Sequence, residues 1–157
     1  MTHRFDIKHA TIDYLEALVP LFEAYRLFYG QSPDAVGSRV ILKNRIIDRE
    51  SIILLGFKDG RAVGFAQLYP SFSSVSIRRI FIFNDLYVAP SVRRTGMAMT
   101  LLQASRKAAL AVDGIRIELE TGCDNVSAQY LYERTGWIRN SDFVTYGINL
   151  LHMKDLS

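Results

Sequence analysis

A short segment in the middle of the chain carries residue types suited to binding an anion. It reads Arg-Arg-Thr-Gly-Met-Ala from Arg93 to Ala98, after a hydrophobic stretch that ends at Val88 and at the start of a long amphipathic run from Met97. The first N–H groups of a helix have no intrahelical partner and lie at the positive end of the helix dipole. Phosphate groups commonly bind at such a helix start. We therefore predict a strand, a turn and a helix N-terminus that together bind the phosphates of a cofactor.

The spacing within this segment differs from two common nucleotide-binding patterns. It lacks the Gly-Lys-Ser/Thr ending of the Walker loop, and it is not the Gly-x-Gly-x-x-Gly of dinucleotide-binding folds. It fits Arg/Gln-x-x-Gly-x-Gly/Ala, in which small residues such as Gly96 and Ala98 let backbone amides close on a pyrophosphate. A second pattern, Asn-x-x-Ala-x-x-x-Tyr-x-x-x-Gly-Phe/Trp, is matched from Asn125 to Trp137. In this order, the two patterns resemble those of the GNAT superfamily of acetyl-CoA-dependent N-acetyltransferases, over most of the chain and most strongly from Asn84 to Trp137.

The resemblance implies acetyl-CoA as co-substrate and a set of residues that hold it. Backbone groups of residues 86–88 would bond the pantetheine arm where their strand splays from a parallel neighbour, and the loop amides would hold the pyrophosphate. Asn125 would contact the arm, and Tyr132 would stand near its sulfur. The alternative for Arg93 and Arg94 is a solvated pair on a turn. The predicted cofactor-binding residues are Leu86, Tyr87, Val88, Arg93, Arg94, Thr95, Gly96, Met97, Ala98, Asn125, Ala128 and Tyr132.

The implied chemistry is acyl transfer, in which a neutral amine attacks the thioester carbonyl and the thiolate leaves with a proton. A backbone N–H of Leu86 or Val88 could polarise the carbonyl without any side chain. Tyr132 suits the role of general acid because a phenol is neutral at pH 7 and can donate its proton. The alternative for Tyr132 is an aromatic side chain that packs into the core. We predict direct transfer with Tyr132 as the acid.

The base for this reaction has several candidates. Some GNAT relatives carry a Glu-Asp pair at this end of the strand, with the glutamate often assigned to proton removal, whereas this chain has Asn84 and Asp85. Asn84 could orient a water or the amine, and strand neighbours point to opposite faces, so Asp85 does not simply inherit the role. A protein base, deprotonation through water, and direct attack by free amine all stay open. Tyr132, Asn84 and Asp85 are the predicted catalytic residues.

The acceptor site is predicted from aromatic and polar residues outside the cofactor segment. Tyr25 and Tyr29 lie one helical turn apart and could wall a pocket, while core packing is the alternative for Tyr25. Arg26 needs an acidic partner, either on the acceptor or within the chain, because a buried unpaired charge is costly. The predicted substrate-binding residues are Tyr25, Arg26, Tyr29, Tyr69 and Asn84.

The hydrophobic periodicity predicts a mixed set of helices and strands. Residues 32–34 resemble a helix start, with an apolar face at Val36, Val40, Ile41, Ile46 and Ile47 in the helix that follows. We expect strands over 5–7, 51–57, 62–69, 75–88, 115–119 and 143–150, helices over 11–28 and 95–112, and a helix that is capped by Asn125 or Ser127 and ended by Gly136. The Asp59-Gly60 pair predicts a hairpin turn, and residues 70–74 a connection.

A strand, helix and strand in succession imply a right-handed parallel crossover after an antiparallel first half. The predicted fold class is therefore α/β (α+β), as one domain over residues 1–157. The resemblance adds a GNAT-like, mostly antiparallel sheet with a splayed parallel pair in the centre and helices on both faces.

Composition excludes several classes of protein. Hydrophobic residues make up 49% and charged residues 22% of the chain, as in folded globular proteins. One cysteine, Cys123, excludes an intramolecular disulfide, and the three histidines lack ligand spacing, so we predict no metal. The net charge of +3 is dispersed, which places nucleic-acid binding last. No apolar run could span a membrane and no signal-peptide core is present, so we expect no membrane and a cytoplasmic location.

The leading functional prediction is an N-acetyltransferase that moves an acetyl group from acetyl-CoA to a primary amine on a small molecule. One alternative is a protein or peptide N-acetyltransferase, which would need an open groove. Another is a non-catalytic acyl-CoA-binding or regulatory domain, which the absent glutamate favours and Tyr132 opposes. A homodimer is expected by analogy, because many GNAT proteins pair through C-terminal strands.

Overall fold

The computed structural model describes residues 5–151, and the described chain divides after Glu120 into two compact units. The first unit holds five strands and three helices, and the second holds one helix. The strands are β1 Asp6–His9, β2 Ile52–Lys58, β3 Arg61–Ser73, β4 Arg78–Val88 and β5 Ile117–Glu118, and the helices are α1 Leu15–Phe28, α2 Ala35–Ile47, α3 Met97–Leu110 and α4 Val126–Arg134. Short 3-10 turns, Ile12–Tyr14 and Pro90–Val92, precede α1 and α3.

The five strands form one mixed sheet in the order β1-β2-β3-β4-β5. The first three pairings are antiparallel, and β4 and β5 pair in parallel, so the predicted mixed, mostly antiparallel sheet is confirmed. The parallel pair lies at one end of this order and not at its centre. The reason is that the segment predicted as the last strand, residues 143–150, forms no strand in the described chain.

Helices cover both faces of the sheet in the first unit. Phe65 is fully buried on one face, where it belongs to a core cluster with Leu18 of α1 and Leu42 of α2. On the opposite face α3 lies so close that a Cβ added at Gly64 would sit 3.3 Å from the Leu101 side chain and 3.5 Å from that of Met97. Alternation along the strands divides the apolar residues between these two helical layers.

The hairpin of β3 and β4 is longer than predicted. β3 continues through Pro70 to Ser73 and β4 begins at Arg78, so the connection is residues 74–77 and not 70–74. Pro70 pairs with Phe81 of β4, beyond the last β2 partner of β3, which is Leu68. Proline is tolerated here because β3 is an edge strand at this point and its missing N–H is not needed by β2.

Helix α2 buries a different face from the one predicted. Its buried residues are Ser38 and Leu42, and Val36 is 74% exposed. Of the predicted apolar face, Val36, Val40, Ile41 and Ile47 are exposed and only Ile46 packs against the core cluster. The rotation of the helix follows from polar contacts at its start. Asp34 Oδ1 caps Gly37 N at 2.8 Å, and Glu23 of α1 accepts hydrogen bonds from Asp34 N and the Ser38 hydroxyl.

Several predicted boundaries change in smaller ways. Strand β1 spans Asp6–His9 where 5–7 was predicted, and the helix predicted over 11–28 begins at Leu15, after a 3-10 turn. Helix α3 spans 97–110 where 95–112 was predicted, and β5 has two residues where 115–119 was predicted. A hydrophobic stretch is strand only where a neighbour supplies ladder bonds, and β5 pairs only with Phe81 and Ile82.

The second unit contains α4 and the segment that follows it. Asn125 caps α4 by accepting a hydrogen bond from Ala128 N at 3.2 Å, as one of the two predicted caps. Gly136, with φ 86°, follows the helix end. The prediction of a strand over 143–150 is wrong, since its apolar residues are exposed and no strand of the described chain pairs with it. An alternating pattern needs a partner strand to form a ladder.

Candidate active site

A bulge in β4 sets the geometry around the predicted catalytic pair. Gln67 of β3 faces Asp85 of β4, but its neighbour Leu68 faces Phe83, so Asn84 is an extra residue without an opposite partner. A β-bulge bends the strand and redirects the side chains beside it. Tyr25 of α1 donates its hydroxyl to the Asn84 carbonyl oxygen at 3.3 Å. The bulge therefore receives a hydrogen bond from the helix that covers this face.

Asp85 is a buried carboxylate in the first unit. Its exposed fraction is 4%, and Asn84 Nδ2 donates to its Oδ1 at 3.1 Å. Burial raises the pKa of Asp85, and the hydrogen bonds from Tyr25 and Asn84 oppose that shift. A carboxylate whose charged form is destabilised in this way is a better proton acceptor at neutral pH than an exposed one. The structure thus makes Asp85 the stronger candidate of the Asn84-Asp85 pair for a base.

A polar group that the sequence reasoning missed lies beside Asp85. Gln67 is buried, and its Nε2 donates to Ser51 Oγ at 2.9 Å and to the Tyr69 hydroxyl at 2.8 Å. Burial raises the pKa of Tyr69, while a hydrogen bond from Arg45 of α2 lowers it. The available signal was a glutamine between Ala66 and Leu68 in an otherwise apolar strand. Tyr69, a predicted acceptor residue, is half-buried and shares a hydrogen bond with Gln67.

The predicted acceptor residues of α1 form an aromatic ladder. The Tyr25 ring lies 5.0 Å from that of Tyr29 and 5.8 Å from that of buried Phe65, both in edge-to-face arrangement. Tyr25 therefore packs on the core, which was one of its two predicted roles, and its hydroxyl also reaches the predicted catalytic pair. Its role as a wall of the acceptor pocket stays a prediction. Arg26 Nη1 pairs with Glu23 at 2.8 Å, so the chain itself supplies the acidic partner that this arginine needs.

The predicted phosphate segment joins β4 to α3 and is exposed from Arg93 to Gly96. Arg93 Nε donates to the Val88 carbonyl oxygen at 3.0 Å, and its guanidinium lies 5.9 Å from the Tyr87 ring centre. Gly96 has φ 98° and is the N-cap of α3, with no side chain to accept from the first amides of the helix. A left-handed residue with no Cβ leaves these N–H groups open to an anion.

The other side of β4 is unpaired along most of the segment predicted to hold the pantetheine arm. β5 pairs with Phe81 and Ile82 only, so within the described residues β4 has no β5 partner from Phe83 to Val88. Backbone groups at Leu86 and Val88 belong to this stretch. The pairing of β4 with β5 therefore ends before the residues at which the family resemblance implied a splay.

In the second unit, the predicted residues lie on one short helix. Asn125 uses its side chain to cap the N–H of Ala128, and Tyr132 sits one helical turn beyond Ala128. The Tyr132 ring lies 5.9 Å from that of Trp137, and Trp137 N donates to the Tyr132 carbonyl oxygen at 3.0 Å. Tyr132 is half-buried, so the helix holds its ring against the tryptophan that ends the second sequence pattern.

Two further findings on the described chain concern metal binding and membrane-spanning helices. No group of three or more His, Cys, Asp or Glu side chains within residues 5–151 is arranged to hold a metal ion. Among the helices of the same residues, none has the length and apolar character needed to cross a membrane.

Comparison with known proteins gives the same family for most of the chain. The model of the acetyltransferase (GNAT) family matches residues 16–137. The chain is 40% identical over 145 residues to the uncharacterized N-acetyltransferase YhfO of Bacillus subtilis (strain 168), covering 92% of this chain and 97% of that one. A crystal structure of a probable acetyltransferase superimposes with a TM-score of 0.87 at 40% identity, over 92% of this chain and 97% of that one.

A more distant likeness shows the fold alone. The structure of AAC(6')-Iy in complex with the bisubstrate analog CoA-S-monomethyl-acetylneamine has a TM-score of 0.76 at 19% identity, covering 93% of this chain and 99% of that one. The family match and the 40% identical relative, together with the bulged strand and the open helix start, identify the chain as a member of the GNAT family of acetyltransferases and as an acyltransferase enzyme.

Proposed function

We propose that this enzyme transfers the acetyl group of acetyl-CoA directly to a primary amine on a small molecule. The observation that carries the proposal is Asp85, buried at the β4 bulge and hydrogen-bonded by Asn84. A cationic amine must lose a proton before it can attack, and a buried carboxylate is suited to take it. The bisubstrate analog bound by AAC(6')-Iy joins CoA to an acetylated small molecule, which supports this donor and this class of acceptor.

The residues of the β4–α3 segment fit the phosphates of acetyl-CoA. Gly96 offers no Cβ at the start of α3, and the two exposed arginines that precede it are positively charged. The residues proposed to hold the co-substrate are Leu86, Tyr87, Val88, Arg93, Arg94, Thr95, Gly96, Met97 and Ala98 in the first unit, and Asn125, Ala128 and Tyr132 in the second. When bound, acetyl-CoA supplies a thioester whose carbonyl carbon is open to attack.

Within the proposed mechanism, the chain's own residues manage the protons. Asp85 accepts a proton from the acceptor ammonium, and Asn84 orients the amine or a water beside it. Tyr25 holds the bulge through its bond to the Asn84 carbonyl oxygen. Tyr132 is proposed as the general acid that donates its phenolic proton to the leaving thiolate. The burial of Asp85 favours a protein base over the two alternatives that the sequence left open.

The acceptor is proposed to lie between aromatic and polar side chains of the first unit. Tyr25 and Tyr29 present adjacent rings, and Tyr69 is half-buried beside Gln67. Rings of this kind bind a cationic amine through their faces. Arg26 is included in this proposal as a neighbour of the site, although Glu23 already neutralises its charge.

An amine panel tests the proposal, with release of free CoA thiol as the readout. The panel compares small primary amines with peptides that carry a free N-terminus or a lysine, at equal concentration. The proposal expects turnover with small amines and little with peptides. Turnover only with peptides would favour the protein N-acetyltransferase, and CoA binding without turnover of any amine would favour a regulatory domain.

A homodimer and a cytoplasmic location complete the proposal. The dimer rests on residues 143–150, where Val144, Tyr146, Ile148 and Leu150 alternate along the chain and are all exposed. An extended segment with one apolar side is stabilised by pairing with another strand. We assign that partner to a second copy of the same chain. The cytoplasmic location stays a prediction from the sequence.

A further inference from the structure

Gln67 is a buried polar side chain for which the proposed mechanism has no use. It is 1% exposed and lies in β3 between fully buried Ala66 and Leu68. Its Nε2 is held by two hydroxyl groups, Ser51 Oγ at 2.9 Å and Tyr69 at 2.8 Å. In this arrangement Nε2 faces the two hydroxyl groups and Oε1 lies on the other side of the terminal amide. A buried amide is costly unless its groups find partners, so its place in the core needs a reason.

The other end of this amide lacks a partner. Gln67 Oε1 is buried and accepts no hydrogen bond from any described residue. An amide oxygen has two lone pairs and is a good acceptor, so the amide leaves a vacant acceptor inside the core. Nearly all buried polar atoms in folded proteins are satisfied, and the exceptions often belong to functional sites.

Asp85 lies directly opposite Gln67 across the β3–β4 ladder. Opposite residues of an antiparallel pair point to the same face, with Cβ atoms about 4.5–5.5 Å apart. Both side chains are buried on the face that carries Phe65 and the α1 helix. An ionised carboxylate offers only acceptors, but a protonated one has an O–H that needs an acceptor. Gln67, whose Oε1 has no partner, is therefore the ladder neighbour of Asp85, whose carboxyl group becomes a hydrogen-bond donor when it is protonated.

We propose that Gln67 is a positioning residue for Asp85, and that Gln67 Oε1 accepts the hydrogen of the Asp85 carboxyl group after Asp85 has taken a proton from the acceptor. This inference rests on the proposed function. The balanced step converts an ammonium and a carboxylate into a neutral amine and a carboxylic acid. The N–H bond breaks with its electron pair left on nitrogen, and an O–H bond forms on Asp85. The proton returns to solvent after the product leaves.

The groups around Asp85 agree with this assignment. From α1, Tyr25 donates a hydrogen bond, and from β4 itself Asn84 does the same. From β3, Tyr69 interacts electrostatically with Asp85. Arg45 of α2 is hydrogen-bonded to Tyr69 and paired with Glu50. Burial raises the pKa of Asp85, and an acceptor for its protonated form acts in the same direction.

A carbon-13 NMR titration of the Asp85 carboxyl carbon tests the proposal in the protein without substrates. The signal is assigned by its loss in Asp85→Asn. We expect Gln67→Leu to lower the proton affinity of Asp85 about tenfold, one pKa unit, because the protonated form loses its acceptor. Gln67→Met, unbranched and similar in volume, is the second variant if leucine prevents folding. Gln103→Leu, on the exposed side of α3, is the matched control and is expected to change nothing.

An unchanged pKa in a folded Gln67 variant would overturn the proposal. A raised pKa would overturn it too, since it would mean that the amide donates an N–H to the ionised carboxylate. In active enzyme, the acid limb of kcat/KM is expected to move to lower pH in the same variants. The NMR result does not depend on turnover, so failure of the proposed function and failure of this inference give different outcomes.

Discussion

Asp85 is the residue whose surroundings differ most from those of an ordinary surface carboxylate. Burial raises its pKa above the usual 3.8, while Tyr25 and Asn84 donate hydrogen bonds that limit the shift. Asn84 is the extra residue of the β4 bulge, and Tyr25 of α1 donates a hydrogen bond to its carbonyl oxygen, so the bulge and the perturbed acid lie side by side. Perturbed carboxylates of this kind concentrate at functional sites.

We expect Asp85→Asn to lower kcat/KM by about 10²- to 10⁴-fold, the usual contribution of a general base. The wild-type rate should fall as the pH drops below the raised pKa of Asp85, because the protonated acid cannot accept a proton. That limb should be absent from the pH profile of the variant. Asp59→Asn, an exposed acid in the β2–β3 turn, is the control. If Asp85→Asn kept the full rate, Asp85 would not be the base, and deprotonation through water or direct attack by free amine would remain.

The same substitution should stabilise the fold at neutral pH. A raised pKa means that the folded chain binds this proton more tightly than the unfolded chain, so stability falls as the pH rises through that interval. An asparagine side chain has nearly the same shape as aspartate but carries no charge that must be buried. We expect the Tm of Asp85→Asn to exceed that of wild type at pH 8 and the difference to shrink towards pH 4. Equal Tm curves at both pH values would contradict the proposed burial cost.

Tyr132→Phe tests the proposed acid. The change removes one hydroxyl and keeps the ring that packs against Trp137. We expect kcat to fall by about 10²-fold or more, with the affinity for CoA nearly unchanged. The control is Tyr130→Phe on the exposed side of the same helix. Unchanged turnover, measured where chemistry limits the rate, would remove Tyr132 from this role.

At the scale of elements, the start of α3 combines an open helix terminus with two exposed arginines. Arg93 is held by its bond to the Val88 carbonyl oxygen, and Gly96 begins the helix with a left-handed backbone. This places the predicted anion site on a turn between β4 and α3. The two arginines and the N-terminal end of the helix dipole are all positive, so they attract an anion together.

Reversing the charge of both arginines should weaken CoA binding about 10- to 100-fold, from the roughly 1.5–3 kcal/mol of one hydrogen bond to a charged group. Isothermal titration of Arg93→Glu/Arg94→Glu with CoA measures this. A pantetheine analogue without phosphates should bind the variant and wild type equally. Lys107→Glu, a single charge reversal near the other end of α3, is the control and should leave CoA binding nearly unchanged. Equal losses for CoA and the analogue would count against phosphate contact.

Gly64 lies where β3 packs closely against both its neighbour β4 and helix α3. Alanine there would bring a Cβ within 2.8 Å of the backbone oxygen of Tyr87, which cannot move aside without distorting β4. We expect Gly64→Ala to cost about 1–3 kcal/mol, as overpacked core positions do. The Tm should fall by about 2–4 °C per kcal/mol.

At the scale of the whole molecule, residues 143–150 carry apolar side chains that the described chain leaves exposed. If this segment joins two copies, sedimentation equilibrium should give twice the monomer mass of 17.8 kDa. The variant Tyr146→Asp/Ile148→Asp should then sediment as a monomer with an unchanged far-UV CD spectrum. Val75→Asp, in the exposed β3–β4 turn, is the control. A wild-type monomer at all concentrations would reject the dimer.

The sequence alone determined the family and most of the secondary structure. Two spaced patterns, one at Arg93 to Ala98 and one at Asn125 to Trp137, were sufficient for the family because each depends on local chain geometry. A glycine and a small residue at a helix start, or a capping asparagine followed by a helix, is visible within a few residues. Long amphipathic helices such as α1 and α3 were predicted for the same reason.

Only the tertiary structure decided which residues share a surface. The bulge at Asn84 changes the register between β3 and β4, and no local pattern shows that Gln67 then faces Asp85. The buried face of α2 was not predicted because hydrogen bonds to Glu23 set the rotation of the helix. The prediction of a strand over 143–150 was wrong because a strand needs a partner strand. Burial, register and pairing depend on residues far apart in the chain. The protonation of Asp85 depends on all three.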